Sequence, residues 1–138
     1  IKKNVIQIDE FDTGERRKFN YGHTFGHAIE ALTNYKITHG QAITIGMDFA
    51  NYVSYNYKKL SREKYELIKI LLKKNFPNHN LKSYSLKKYI SILKKDKKNK
   101  DNKLGCILLS DNEKLSLTYQ KFDNKFITLI NNYFLYSK

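Results

Sequence analysis

The sequence predicts a mainly α-helical domain with a small β-hairpin element near its end. Apolar residues recur at helical spacing through most of the chain. Serines and one proline stand where helices should start and stop. Two short apolar runs close to the end read as strands. No internal repeat and no linker interrupts residues 1–138, so they are expected to form a single domain.

The elements follow in order. Residues 1–14 read as an extended lead-in, with β-branched Val5, Ile6 and Ile8 before a turn-prone acidic stretch. A first helix is expected from about Arg16 to Thr33, with Phe19, Phe25, Ile29 and Leu32 at helical spacing. Asn34 and residues 36–38 connect it to a second helix, about Gly40 to Tyr57, striped by Ile43, Met47, Ala50 and Val53. Ser61 caps a third helix, with Glu63 in its first turn and Tyr65, Ile68, Leu71 and Leu72 facing inward. Pro77 stops it. Ser85 caps a fourth helix that turns Leu86, Tyr89, Ile90 and Leu93 inward. Residues 94–103 read as a charged, flexible loop. Residues 104–110 and 115–119 form the hairpin, and an amphipathic helix over 123–136 follows.

Composition narrows the function classes. Hydrophobic residues make up 41% and aromatics 14%, enough for a core. No apolar run approaches the roughly 18–20 residues of a membrane helix, and the first residues lack the apolar centre of a signal peptide. One cysteine, Cys106, excludes an internal disulfide and the paired-cysteine zinc spacings, and it sits in an apolar run as a small buried residue would. A reducing, cytoplasmic setting is the default. The net charge of +13 admits an anionic partner. Most lysines are scattered, however, and the abundance of Lys, Asn, Ile and Tyr is what A/T-rich codons encode. Without an aromatic–basic reading motif, nucleic acid is a poor fit.

Three of the four histidines are close in sequence. His23 and His27 share a helix face at i, i+4, and His39 opens the next helix. An antiparallel helix pair could bring His39 to the other two, and imidazoles suit Zn²⁺, Fe or Co. Gly22, Gly26, Gly40 and Gly46 surround them. Glycine inside a helix costs about 1 kcal/mol relative to alanine, so these positions suggest close approach of another helix or a ligand. His79, in an Asn-His-Asn loop, reads as solvated.

The run from Arg16 to Glu30, RRKFNYGHTFGHAIE, closely resembles the signature of 3-dehydroquinate synthases, Arg-x-x-Leu-Asn-x-Gly-His-(Thr/Ser)-x-Gly-His-Ala-Ile-Glu. The family's second block, His-Gly-Glu-Ala-Val-x-x-Gly-Met, is matched by His39 to Met47. Lys2, Val5, Ile6, Asp9 and Glu10 match the lead-in, and Asp96-Lys97-Lys98 a short downstream motif. The resemblance implies the helical C-terminal domain of the dehydroquinate synthase-like fold. It also implies an activity: conversion of 3-deoxy-arabino-heptulosonate 7-phosphate to 3-dehydroquinate and phosphate, in the shikimate pathway of aromatic amino acid biosynthesis. NAD and a divalent metal, Zn²⁺ or Co²⁺, are the implied cofactors.

Carried over by position, the resemblance makes His23 and His39 metal ligands and His27 a proton-transfer residue that contacts substrate. It makes Asp12, where the family usually has Glu, a second proton-transfer group. Lys2 and Arg16 become substrate-anion contacts, Asn20 a hydroxyl contact, and Lys97 or Lys98 a further anion contact, with the choice left open. Gln41 stands where the family has Glu and carries no charge. These residues contain no Gly-rich nucleotide fingerprint. In the family the NAD domain and a third metal ligand, a glutamate, precede this region, so the chain alone is expected to be inactive. Family members are commonly dimers, which makes a homodimer the expectation.

Other classes remain: a related sugar-phosphate cyclase, a metal-dependent polyol dehydrogenase, or a non-enzyme, either an inactive remnant or a basic nucleic-acid-binding module.

Overall fold

A computed structural model describes residues 15–136, with side chains from Lys18 onward. A 3₁₀ turn over Glu15–Asn20 leads to helices α1 (His23–Leu32), α2 (His39–Asn56), α3 (Arg62–Lys73) and α4 (Leu86–Lys94). Strands β1 (Lys103–Leu109) and β2 (Leu115–Lys121) and helix α5 (Asn124–Tyr136) complete it. The expected mainly helical domain with one hairpin is therefore present. The strands pair antiparallel, with Cys106 opposite Thr118 and Leu108 opposite Ser116. The expected extended lead-in over residues 1–14 lies outside the described residues.

The crossing of α1 and α2 organises the domain. A Cβ on Gly46 would stand 2.0 Å from the Gly22 carbonyl oxygen and 2.6 Å from the Gly26 nitrogen. The two backbones are in contact, which no larger residue would permit. Three of the four glycines flagged by sequence thus serve a helix crossing. Gly40 does not, for nothing lies within 4 Å of a Cβ placed there.

The same crossing corrects the expected first helix. It does not run unbroken from Arg16 to Thr33. The chain turns as 3₁₀ to Asn20, then passes through left-handed backbone at Gly22, φ +79°, before α1 begins. Phe19, on the far side of that break, is 38% exposed, whereas Phe25 and Ile29 are buried.

The core lies between α1, α2, α4, α5 and the inner face of β1. Phe49 of α2 stacks between Phe25 at 4.5 Å and Tyr133 at 4.1 Å, ring centre to ring centre. Stacked pairs of this kind contribute about 0.5–1.5 kcal/mol beyond their area. Tyr89 of α4 is fully buried and its hydroxyl donates to the Phe25 carbonyl at 3.1 Å. Cys106 is buried as expected, and burial pushes its thiol up to about 11.

Helix starts agree with their serines. Ser61 accepts from the Lys64 N–H, and Ser85 from the Lys88 N–H. The face of α3 does not agree. Tyr65 is buried, but Leu71 is 62% exposed, with Leu67 and Ile70 exposed beside it. α3 packs mainly on α2, so only one narrow side of it is covered. The loop over 94–103 is tied down rather than flexible. Asp96 accepts from the Lys98 N–H at 2.8 Å, and Asn99 bridges the Leu93 carbonyl and the Gly105 N–H. His79 is paired rather than solvated, its Nε2 lying 2.7 Å from the Tyr84 hydroxyl.

One face of α2 buries polar side chains: Asp48, Asn51 and Ser54 are fully inaccessible. Tyr133 donates to Asp48 Oδ2 at 2.7 Å, and Tyr21 donates to Asn51. Burial raises the Asp48 carboxyl above the usual carboxylate range, against the opposing Tyr133 hydrogen bond and the charges of Lys69 and Lys73.

Two stability predictions follow from these contacts. Gly46→Ala should cost at least about 3 kcal/mol, the upper end for overpacking, because the obstructing atoms are backbone. Gly40→Ala should be neutral or stabilise by about 0.4–1 kcal/mol, since the site is open. Urea denaturation of both variants checks the contrast. For Asp48, the folded carboxyl holds its proton at pH values where the unfolded one has lost it. Stability therefore falls as pH rises from the ordinary carboxylate value through the raised one. Asp48→Asn should be at least as stable as wild type at pH 8, with its relative advantage shrinking as pH falls toward 4. Melting temperatures across that range would show it, and a variant that is less stable at pH 8 contradicts it.

Candidate functional site

Each helix of the crossing pair begins on a histidine. Gly22 turns the chain so that His23 is the first residue of α1, and His27 follows one turn later on the same face. Thr38 caps α2 by accepting from the Gln41 N–H, so that His39 is the first residue of α2. The crossing gathers all three. Ring centres are 5.1 Å apart for His23 and His27, 5.9 Å for His23 and His39, and 5.7 Å for His27 and His39. One ring nitrogen from each lies within 4.8 Å of the others.

The hydrogen bonds distinguish the three. His23 Nδ1 is 3.2 Å from the Tyr21 carbonyl oxygen, which can only accept. Nδ1 must carry the proton, which leaves the Nε2 lone pair free. His39 Nδ1 is 2.9 Å from Glu30 Oε1, and the same logic frees its Nε2. Among the described residues, His27 has no hydrogen-bond partner fixing its ring. Its pKa is lowered, first by burial and then by His23, with Glu30 opposing and Lys98 and His39 adding to the shift. Two imidazoles whose Nδ1 atoms are engaged and whose Nε2 atoms remain available, with a third beside them, form a donor set that fits a divalent cation of the Zn²⁺ or Co²⁺ type.

Asn20 and Lys98 line one small cavity of about 110 Å³, together with Thr24, Gly105, Cys106, Ile107 and Leu117. Asp96 sets Lys98 in place through the bond to its N–H and an ion pair at 3.6 Å. Lys97 is exposed. Lys98, not Lys97, shares this cavity with Asn20. Lys2 and Asp12 lie outside the described residues, as does the Arg16 side chain. Gln41 is half-buried, and its backbone rather than its side chain takes part in the cap.

Glu30 was given no role by sequence reasoning. It is 8% exposed and contacts His39 directly. The signal was available, because Glu30 follows His27 by three residues and His23 by seven and so falls on their helix face.

The family model described as 3-dehydroquinate synthase C-terminal matches residues 1–99. The chain belongs to this family. It is 37% identical over 134 residues to 3-dehydroquinate synthase from Endomicrobium trichonymphae, covering 96% of this chain and 37% of that protein. It is 33% identical over 118 residues to the synthase from Alkaliphilus oremlandii, covering 85% of this chain and 32% of the other. The chain spans about a third of the length of these curated relatives. A solved 2-deoxy-scyllo-inosose synthase, complexed with carbaglucose-6-phosphate, NAD⁺ and Co²⁺, superposes with a TM-score of 0.79 at 29% identity. That match covers 96% of this chain and 38% of the synthase chain. No helix among the described residues is long and apolar enough to cross a membrane.

Proposed function

We propose that this chain is the metal- and substrate-binding part of a 3-dehydroquinate synthase, which converts 3-deoxy-arabino-heptulosonate 7-phosphate to 3-dehydroquinate and phosphate. The observation that carries the proposal is the division among the histidines. His23 and His39 are each held with Nε2 free, as ligands require, while His27 is left uncommitted.

His23 and His39 would hold the divalent metal, Zn²⁺ or Co²⁺. When bound, the metal would polarise a substrate hydroxyl and lower its pKa. NAD would be held chiefly by the region that precedes this one in the family.

The chain's own groups have the remaining tasks. His27, with its lowered pKa, is neutral near pH 7 and can take a proton from substrate at a free ring nitrogen. Lys98 and Asn20, on one cavity wall, suit an anion and a hydroxyl side by side. Arg16 and Lys2 would add anion contacts and Asp12 a proton-transfer group; these three rest on the resemblance alone. The substrate is a small sugar phosphate, and the scattered lysines need no nucleic acid to explain them. The cytoplasm is the proposed setting, and a homodimer the proposed assembly.

A related sugar-phosphate cyclase is the second reading. It is favoured by the likeness to 2-deoxy-scyllo-inosose synthase, solved with a hexose-phosphate analogue.

Turnover should be measured with the gene's full open reading frame beside this chain, with NAD and Zn²⁺ or Co²⁺. The full frame should form 3-dehydroquinate and the chain alone should not. Carbocycle formation from a hexose 6-phosphate instead would select the second reading, and turnover by the chain alone would contradict the proposed division of the protein. In the full frame, Lys98→Met should lower kcat/KM by about 30–100-fold, the value of a lost charge-assisted hydrogen bond. Lys97→Met should change it by less than about threefold, as expected for a solvated charge. Equal effects from the two lysines would contradict the assignment of Lys98.

A further inference from the structure

We infer that Glu30 is a positioning residue for the metal centre. Its carboxylate fixes the orientation and tautomer of His39, and it supplies the negative charge that a dication at this place requires. The inference rests on the metal-binding reading above, which takes the His39 end of this bond, and assigns a role to the Glu30 end.

The geometry places Glu30 between two anchored backbones. Its own carbonyl accepts from the Tyr35 N–H at 2.8 Å and from the Thr33 hydroxyl at 3.2 Å, closing the end of α1. His39 is held at the start of α2 by the Thr38 cap. The 2.9 Å bond between Glu30 Oε1 and His39 Nδ1 joins two positions that are already fixed. A carboxylate accepts and does not donate when ionised, so the bond commits the imidazole proton to Nδ1. A ligating histidine needs this arrangement, in which an acceptor behind the ring turns the other nitrogen toward the metal.

Electrostatics points the same way. His23 and His39 each occupy the first position of a helix, where the unpaired N–H groups carry about half a positive charge. The positive end of a helix opposes a divalent cation placed beside it. Histidine brings no compensating charge. Gln41, where the family pattern has Glu, brings none either. Among the described residues, Glu30 is the acid in contact with the cluster, and it is nearly buried, with its side chain 10% exposed. Low exposure strengthens its interaction with both the imidazole and a bound cation.

A purely structural role, sealing the corner between α1 and α2, would give the same bond. Metal affinity and the His39 tautomer separate the two roles. The protein from the full open reading frame, labelled with ¹⁵N-histidine, would be compared with Glu30→Gln and His39→Ala. Long-range ¹H–¹⁵N spectra of the metal-free proteins report the tautomer, and Co²⁺ titration followed by visible absorption reports affinity. In wild type His39 should carry its proton on Nδ1. Glu30→Gln should lose that preference and bind Co²⁺ about 10–100-fold more weakly, the usual effect of removing such a partner. Equal Co²⁺ affinity in wild type and Glu30→Gln, or a wild-type His39 protonated on Nε2, overturns the inference. If Glu30→Gln does not fold, the wild-type tautomer decides. If folded wild type binds no Co²⁺, or His39→Ala binds it equally well, the metal-binding reading itself fails, and that outcome is distinct from failure of the Glu30 role alone.

Discussion

Everything in this domain hangs on one contact, the meeting of Gly46 with the Gly22 carbonyl where α1 and α2 cross. Side chains normally hold helix axes about 8–10 Å apart. Glycines at 22, 26 and 46 remove the spacers and let backbone touch backbone. The approach has two consequences on different sides of the pair. On the inner side Phe25 and Phe49 stack, and the aromatic core builds out through Tyr133 and Tyr89. On the outer side the histidine rings come within about 6 Å of one another. Core and site are therefore set by the same geometry, and a change that spreads the helices would disturb both.

The placement of histidines at helix starts carries its own chemistry. A first-turn position leaves N–H groups without intrahelical partners, and their field disfavours a charged imidazolium. His23 and His39 both sit in that field, and His39 is 62% exposed at its side chain. Hydrogen bonds then choose the tautomer: a carbonyl behind His23 and a carboxylate behind His39. The third histidine has neither a helix start nor a fixed partner, and it is the one whose pKa burial lowers. One motif at i, i+4 thus yields two different environments.

How much of this the sequence disclosed depended on whether the signal was local. Helix starts at Ser61 and Ser85 and the hairpin came from local chemistry, and the hairpin was expected within a residue or two of its ends. The break at Gly22 was hidden because apolar spacing continues across it; the left-handed backbone there lies against Met47 and Ile43 of another helix, where a Cβ would not fit. The face of α3 was misjudged because periodicity reports which residues could be buried, not whether a neighbour arrives to bury them. Spacing alone would have paired His23 with His27, and only the resemblance paired His23 with His39. That Lys98 shares a cavity with Asn20 while Lys97 is exposed follows from the Asp96 turn, which spacing does not report. Glu30 was visible in the signature, but its partner lies across a helix connection that includes left-handed backbone at Asn34 and Tyr35.

The domain also holds a cost that its function does not explain. Asp48, Asn51 and Ser54 are buried on α2, and Asp48 Oδ1, Asn51 Nδ2 and Ser54 Oγ lack partners among the described residues. Each such group costs about 1–3 kcal/mol when left unsatisfied. The half-satisfied ones meet tyrosines from distant parts of the chain, Tyr133 from α5 and Tyr21 from the segment before α1. These bonds tie the two ends of the described chain to the centre of α2, the helix that presents His39. Apolar residues at 48 and 51 would remove the Asn51 acceptor of Tyr21 and leave Tyr133 only the 3.4 Å contact with the Ile45 carbonyl. The polar row is thus coupled to the tyrosines, and the segment carrying Tyr21 also supplies the carbonyl that orients His23. Stability given up in the middle of α2 is linked, through Tyr21, to the placement of His23 at the start of α1.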